Sequence, residues 1–281
     1  MKQIFFLLAW LAAAGASAQE LYPYSEPASN MPVRSLSLKL TAMYERGVHS
    51  GAILQRYIPE VMLGLSRKWM VHGSLAFSNM HRSFLWEGGK AYAKYRFLSN
   101  DGVHRHFRMA AFGAAAYSRN HLDHNEISLN GDHSGVQAGL IATQLVNRFA
   151  TSGTASVVEV LNRQRWQKNG ADTFAFRAFQ YSLSTGLLVL PVTYTDYDQT
   201  NVNVYLEMFG NQNLDNDHGR YFVDLAPSLQ AIFRSTGKLS VGYRFQVAGD
   251  IYRLAKQSVM VSYEQIFLGA LRRKKPLKQV P

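Results

Sequence analysis

Apolar and polar residues alternate along most of this chain. From Lys238 to Val247, Leu239, Val241, Tyr243, Phe245 and Val247 fall on one side of an extended backbone, and Ser240, Gly242, Arg244 and Gln246 fall on the other. From Ser258 to Leu268, Val259, Val261, Tyr263 and Phe267 oppose Met260, Ser262, Glu264 and Ile266, with Gln265 the one polar residue on the apolar side. The same period divides the chain from Ser35 onward into about twelve segments. They are Ser35 to Tyr44, Arg56 to Leu65, Lys68 to Asn79, Lys90 to Leu98, His106 to Ser118, Ser134 to Leu145, Arg148 to Leu161, Thr173 to Val189, Thr200 to Phe209, Tyr221 to Phe233, Lys238 to Val247 and Ser258 to Leu268. Most are longer than a typical soluble strand and about as long as a strand that crosses a bilayer.

The connections carry a second pattern. Ser66-Arg67, Ser99 to Arg105, Val146-Asn147 and Arg234 to Gly237 are brief, and all are even-numbered; Leu190 to Gln199 is the long exception. Odd-numbered connections, such as Arg119 to His133 and Asn162 to Asp172, are longer. Short turns at one end and long loops at the other predict an antiparallel transmembrane β-barrel with both termini periplasmic, an alternation that a soluble sandwich has no reason to adopt. Tyr44, Tyr57, Trp69, Phe97, Tyr117, Phe149, Tyr221, Phe233, Tyr243 and Phe267 fall mostly toward strand ends on the apolar face, where interfacial girdles sit.

The N-terminus supplies the compartment. Met1-Lys2, the apolar run Ile4 to Ala14 and the small residues Ala16-Ser17-Ala18 have the form of a secretory signal peptide over residues 1–18. No later segment approaches the length of a transmembrane helix, so membrane insertion is expected as a barrel over residues 35–268. The chain holds no cysteine, which excludes disulfides and a lipid anchor on Cys. Residues 19–34, with Pro23, Pro27 and Pro32, read as an extended periplasmic arm, with a plug folded into the lumen as the sharper alternative. Residues 269–281 read as a basic tail. The net charge is +11, but Lys2 and the tail cations Arg272, Arg273, Lys274, Lys275 and Lys278 account for much of it, leaving about +5 on the body. No basic stripe or reader motif accompanies that charge, so nucleic acid is not an expected partner.

Glu60-Val61-Met62-Leu63-Gly64-Leu65-Ser66, Ala91-Tyr92-Ala93-Lys94-Tyr95-Arg96-Phe97, Asp224-Leu225-Ala226-Pro227-Ser228-Leu229 and Gly242-Tyr243-Arg244-Phe245 resemble strands of small outer-membrane barrels of Bacteroidetes. More distantly the chain is similar to the Gram-negative outer-membrane channel family named for the meta-pathway of phenol degradation. The resemblance implies a barrel that passes small, often apolar molecules, and it identifies no catalytic residue. Outer-membrane lipid, a small-molecule solute and the barrel-assembly machinery are the partners that follow from this reading.

Three constellations bear on chemistry. His72 and Ser74 lie two apart, hence on one strand face, a spacing that a nucleophile and its base use when a third group orients the base. Outer-membrane phospholipase A is a barrel of similar size that uses a Ser, a His and an Asn, which makes a lipid hydrolase the enzymatic alternative. Here Asn79, the nearest Asn, falls on the opposite face, and ordinary lumen polarity explains the pair as well. His121, His124 and Glu126, in the fifth connection, are metal-capable ligand types, with a solvated polar loop as the plainer reading. Lys39, Glu60, Lys94, Arg96, Arg108, Arg177, Glu207, Asp224, Arg244 and Glu264 fall on the polar face and are expected to line the lumen. Such charges either satisfy one another and close the barrel or line a pore. No phosphate loop, nucleophile elbow or dinucleotide fingerprint is present, so no cofactor is expected. The expected function is a small channel or transporter-like barrel, with a structural or adhesive barrel as a further alternative.

Overall fold

The computed structural model describes residues 22–48, 51–80, 83–120, 124–161, 175–191, 198–215 and 220–272. Twelve strands run β1 Leu36–Gly47, β2 Ile53–Gly64, β3 Trp69–Ser78, β4 Leu85–Asp101, β5 Arg105–Ser118, β6 Gly135–Val146, β7 Phe149–Val160, β8 Arg177–Leu190, β9 Asn201–Asn213, β10 Tyr221–Phe233, β11 Gly237–Gly249 and β12 Ala255–Phe267. Each pairs antiparallel with its sequence neighbour, and β12 closes on β1 from Leu36↔Phe267 to Gly47↔Ala255. Closure leaves no sheet edge, so the strand backbones satisfy their hydrogen bonds within the sheet, as a bilayer demands.

The period of two sorts the side chains. In β12, Val259, Val261, Tyr263 and Phe267 are exposed on the outside, while Met260, Ser262 and Ile266 are buried within. In β11 the exposed Leu239, Val241 and Tyr243 alternate with buried Lys238 and Ser240. An apolar exterior around a polar interior inverts a soluble barrel, and its natural solvent is lipid. Outer-face aromatics meet near the ends of the strands: Trp69 lies 4.8 Å from Tyr95, and Tyr57 packs edge-on against Tyr44 and Phe84.

The end that holds residue 35 and Phe267 has tight turns at 65–68, 102–104, 147–148 and 234–236, with 191–200 longer. Asn147, Arg234 and Ser235 take positive φ there (52°, 48° and 57°), the backbone that two-residue hairpin turns require. β4 begins at Leu85 and ends at Asp101, well outside the expected Lys90 to Leu98. Glu87-Gly88-Gly89 masks the alternation, and the ladder to β3 continues through a register shift at Ala76/Phe77.

Residues 22–31 depart from the expected extended periplasmic arm and lie inside the barrel, as in the plug alternative, whereas Pro32, Val33 and Arg34 are exposed. Tyr22, Ala28 and Met31 are buried, and Met31 joins Met62, Met70, Tyr92 and Ile266 in an apolar cluster within the lumen. Inward glycines make the room. A Cβ on Gly242 would stand 2.6 Å from the Tyr24 ring, and one on Gly64 would collide with the Pro32 carbonyl. The expected signal peptide and the tail from residue 273 lie outside the described residues.

Candidate functional site in the lumen

The barrel gathers most of the predicted lumen residues on its inner wall. Lys94 and Glu207 are fully buried, Asp224 and Arg108 nearly so, and Lys39, Glu60, Arg244 and Glu264 face the same interior. Arg96 shares the register of buried Ala110. Arg177 is the correction. Its neighbour Ala178 points inward, so Arg177 stands outside, over half exposed, at 3.2 Å from Glu159. At a strand end beyond the apolar belt a charge is solvated on either face, and polarity no longer reports direction.

The arm is held by its backbone. Glu207 accepts the Tyr24 N–H on one oxygen and the Ser25 N–H on the other, both at 3.0 Å, and Ser184 Oγ donates to it at 3.0 Å. Lys94 Nζ donates to the Pro27 and Ser29 carbonyls at 2.7 and 2.9 Å and pairs with Glu26 at 3.0 Å. Ala28 N–H donates to Thr143 Oγ1 at 2.8 Å, and Arg108 donates to Ser29 Oγ at 2.8 Å. One buried carboxylate and one buried ammonium thus find their partners in the arm, without which each is an uncompensated charge.

At the other end residues 124–134 of the β5–β6 connection fold inward as a lid. Ile127 and Leu129 are buried against Val158, Val160, Ala175 and Ala178. Arg253 grips Glu126 with bonds of 2.7 and 2.9 Å and Asp224 with bonds of 2.7 and 3.0 Å, its guanidinium 3.9 Å from the Phe222 ring centre. Arg244 reaches Asp224 at 2.7 Å. Arg56 pairs with Glu87 at 3.0 Å and bidentately with Asp132. Gly131 turns the lid at φ 109°, a backbone few side chains tolerate. Burial alone would raise the Asp132 carboxyl, but Arg56, with the two lid histidines, holds it down at about 2. Burial pushes His133 down to about 4.

Between arm and lid lies a cavity of about 370 Å³. Lys39, Glu60, His72, Ser74, Lys90 and Tyr92 belong to its polar wall together with Glu26, Glu126 and Arg244, and Phe112, Phe209 and Ile127 are among its apolar lining. His72 and Ser74 both face it, but no hydrogen bond joins them among the described residues; His72 instead lies 4.2 Å from the Tyr92 ring, with Nδ1 2.9 Å from Glu60. Of the metal-capable loop residues, His121 lies outside the described residues, Glu126 gives both oxygens to Arg253, and His124 packs edge-on to His133. Spacing alone does not disclose the lid clamp, because Arg56 on β2 and Arg253 in the β11–β12 connection lie far from the lid in the chain.

No protein-family model and no curated protein sequence matches the chain. Among solved structures it is similar to an outer membrane channel from Pseudomonas putida F1, with a TM-score of 0.58 and 11% identity over 88% of this chain and 100% of that one. It is also similar to the KdgM porin, with a TM-score of 0.51 and 7% identity over 82% of this chain and 98% of that one. At such identities the likeness is one of fold. The class follows from that fold and the apolar exterior: the protein is an outer-membrane β-barrel of twelve strands, of the architecture that channels and porins use.

Proposed function

We propose that the protein is an outer-membrane channel for small solutes, held closed in this state by its own N-terminal arm. The observation that carries the reading is that arm, seated in the lumen on Glu207 and Lys94 rather than packed as part of the wall. A structural barrel has no need of a displaceable segment that compensates buried lumen charges, here mostly through its backbone groups, with Glu26 as the one charged side chain it adds. The end with tight turns and both strand termini faces the periplasm, as in bacterial barrels generally, and the lid faces outward. Insertion by the barrel-assembly machinery and a lipid surround follow from the class. The finer likeness to the channel family named for the meta-pathway of phenol degradation, and to Bacteroidetes barrels, rests on the strand motifs and favours a solute with an apolar part.

Planar-bilayer recording tests this. The full chain is expected to show small, infrequent openings, and a variant lacking residues 22–30 a conductance several-fold larger. Absence of conductance from both proteins, each migrating as a folded heat-modifiable barrel, overturns the proposal.

A further inference from the structure

The strand register fixes one row of inward side chains across half of the barrel. Lys238 stands opposite Glu264, Glu264 opposite Lys39, Lys39 opposite Glu60, Glu60 opposite Ser74, and Ser74 opposite Lys90. Directly opposed residues hold their Cβ atoms roughly 5 Å apart. From β11 to β4 the row therefore reads cation, anion, cation, anion, hydroxyl, cation. Ser74 is where the alternation of sign fails, and Lys90 is left beyond it without a carboxylate beside it.

The pairing around the row follows that break. Lys238 is ion-paired to Glu264 at 3.1 Å. Neither Lys39 nor Lys90 forms an ion pair among the described residues, and Lys90 donates to the neutral Oδ1 of lid residue Asn130 at 3.1 Å. Lys39, Glu60, Ser74 and Lys90 all line the 370 Å³ cavity. In the next inward row His72 stands opposite Tyr92. Tyr92 Oη and His72 Nε2 are buried without a hydrogen-bond partner in residues themselves only 7% and 9% exposed, and both residues line the same cavity. A buried donor without a partner is a standing cost that a ligand oxygen relieves.

We propose that this chamber binds a small organic acid in its anionic form, with the carboxylate at Ser74 and Lys90 and an apolar body against Phe112 and Phe209. The row carries one positive charge in excess, which matches a monoanion better than a polyanion. A carboxylate at Lys90 replaces the amide oxygen of Asn130 with a charged acceptor, a hydrogen bond about twice as strong. Tyr92 Oη supplies the donor for its second oxygen. A cavity of this size with a half-apolar wall and a few convergent polar groups has the form of a small-molecule site. The assignment names the solute class for the channel reading and rests on it.

Calorimetric titration of the full chain in detergent at neutral pH, with cyclohexanecarboxylate and its neutral amide as probes, tests the assignment. The acid is expected to bind at least tenfold more tightly than the amide. Lys90→Gln is expected to lower acid affinity about tenfold and leave the amide unchanged. Ser74→Glu, which completes the row with the protein's own carboxylate and removes no ion partner, is expected to abolish the preference for the acid. Equal binding of acid and amide by the unaltered protein, no binding of either, or acid affinity unchanged in both variants overturns the inference. Conductance of the arm-deleted protein separates the two claims. Conductance without acid preference defeats only the ligand assignment, and acid preference without conductance defeats only the channel.

Discussion

The arm and the lid close one lumen from its two ends, and they are held by opposite parts of the chain. The arm offers backbone N–H and C=O groups to charged side chains of the wall, Glu207 and Lys94. The lid offers charged side chains of its own, Glu126 and Asp132, to the wall arginine Arg56 and to Arg253 of the β11–β12 connection. Backbone hydrogen bonds to a charge contribute about 1.5 to 3 kcal/mol each, and they release as separate units. A buried bidentate pair is different: removing one partner strands the other charge at about 3 to 5 kcal/mol. Displacing the arm strands Glu207 and Lys94 as well, but as single side chains that lumen water reaches once the arm has gone; the channel reading therefore assigns gating to the arm and treats the lid as the fixed closure.

The largest expected effect breaks the lid. Arg253→Ala leaves Asp224 with Arg244 alone and Glu126 with only a 3.9 Å contact to Arg244, and lid docking should weaken by about 3 to 5 kcal/mol. Amide hydrogen exchange over residues 124–133 should accelerate while that of residues 24–29 stays as it was. Unchanged lid protection would show that Ile127 and Leu129, not the ion pairs, hold the loop.

The next separates the closures by pH. His133 lies at about 4 in the docked lid because burial disfavours its cation, against Asp132, which favours it, with His124, Glu126 and the Ser128 carbonyl also facing it. An undocked lid binds that proton near the ordinary value of about 6.5. The undocked state therefore holds more protons between the two values, so docking is at full strength above about 6.5 and weakens as pH falls toward 4, by roughly 3 kcal/mol at the lower limit. Asp132 adds a further loss only as pH drops from 3.8 toward its value of about 2. In the arm, burial of the Glu26 carboxyl is outweighed by Lys94, His72 and Lys39, which keep it at about 2, so it stays ionised across the upper window. Exchange of the lid should depend on pH between 6.5 and 4, and His133→Gln should flatten that dependence. A slope that survives the substitution would assign the effect to another group.

A smaller effect is expected at the arm. Glu207→Gln keeps one acceptor oxygen but loses the charge and the second acceptor, which should loosen the arm by roughly 2 kcal/mol. The amides of Tyr24 and Ser25 should exchange faster and channel openings should lengthen, with the lid unaffected. If arm and lid loosen together, the two closures are one cooperative unit and the comparison fails.

The two closures also differ in how far the sequence discloses them. Lipid forces a period of two on every strand and short turns on one end, so Leu239, Val241 and Tyr243 declare the outer face without any structure. The arm leaves no such mark, because N–H and C=O groups belong to every residue. Its traces lie in the wall: Met62, Met70 and Ile266 form an apolar patch on the inward face, and Gly64 and Gly242 stand inward where nothing in a hollow lumen asks for glycine. Inward apolar residues need a cover, and that argument would have selected the plug over the periplasmic arm. The lid shows only as polar loop residues, since the arginines that clamp Glu126 and Asp132 come from β2 and the β11–β12 connection, far from it in the chain. Arg177 was misdirected for the converse reason, a charge at a rim where both faces are wet.

The smallest expected effect tests whether those inward glycines are there for the arm. Gly242 sits on β11 with an ordinary strand backbone, so alanine there costs the barrel little in conformation. Its Cβ would meet the Tyr24 ring at 2.6 Å and the Ser228 Cβ at 3.0 Å. Tyr24 is the movable party, a ring at the end of a flexible side chain, while Ser228 belongs to the neighbouring strand and yields a few tenths of an ångström. Gly242→Ala should therefore shift the arm and not the sheet, raising exchange of the Tyr24 amide by about 1 kcal/mol of lost protection, with heat-modifiable migration and lid exchange unchanged. The same substitution at Gly64 meets the Pro32 carbonyl, a backbone atom with less freedom to move, and should cost more. Should Gly242→Ala lower the stability of the whole barrel and leave the arm in place, the glycine serves strand packing, and the inward small residues are no record of a segment seated against them.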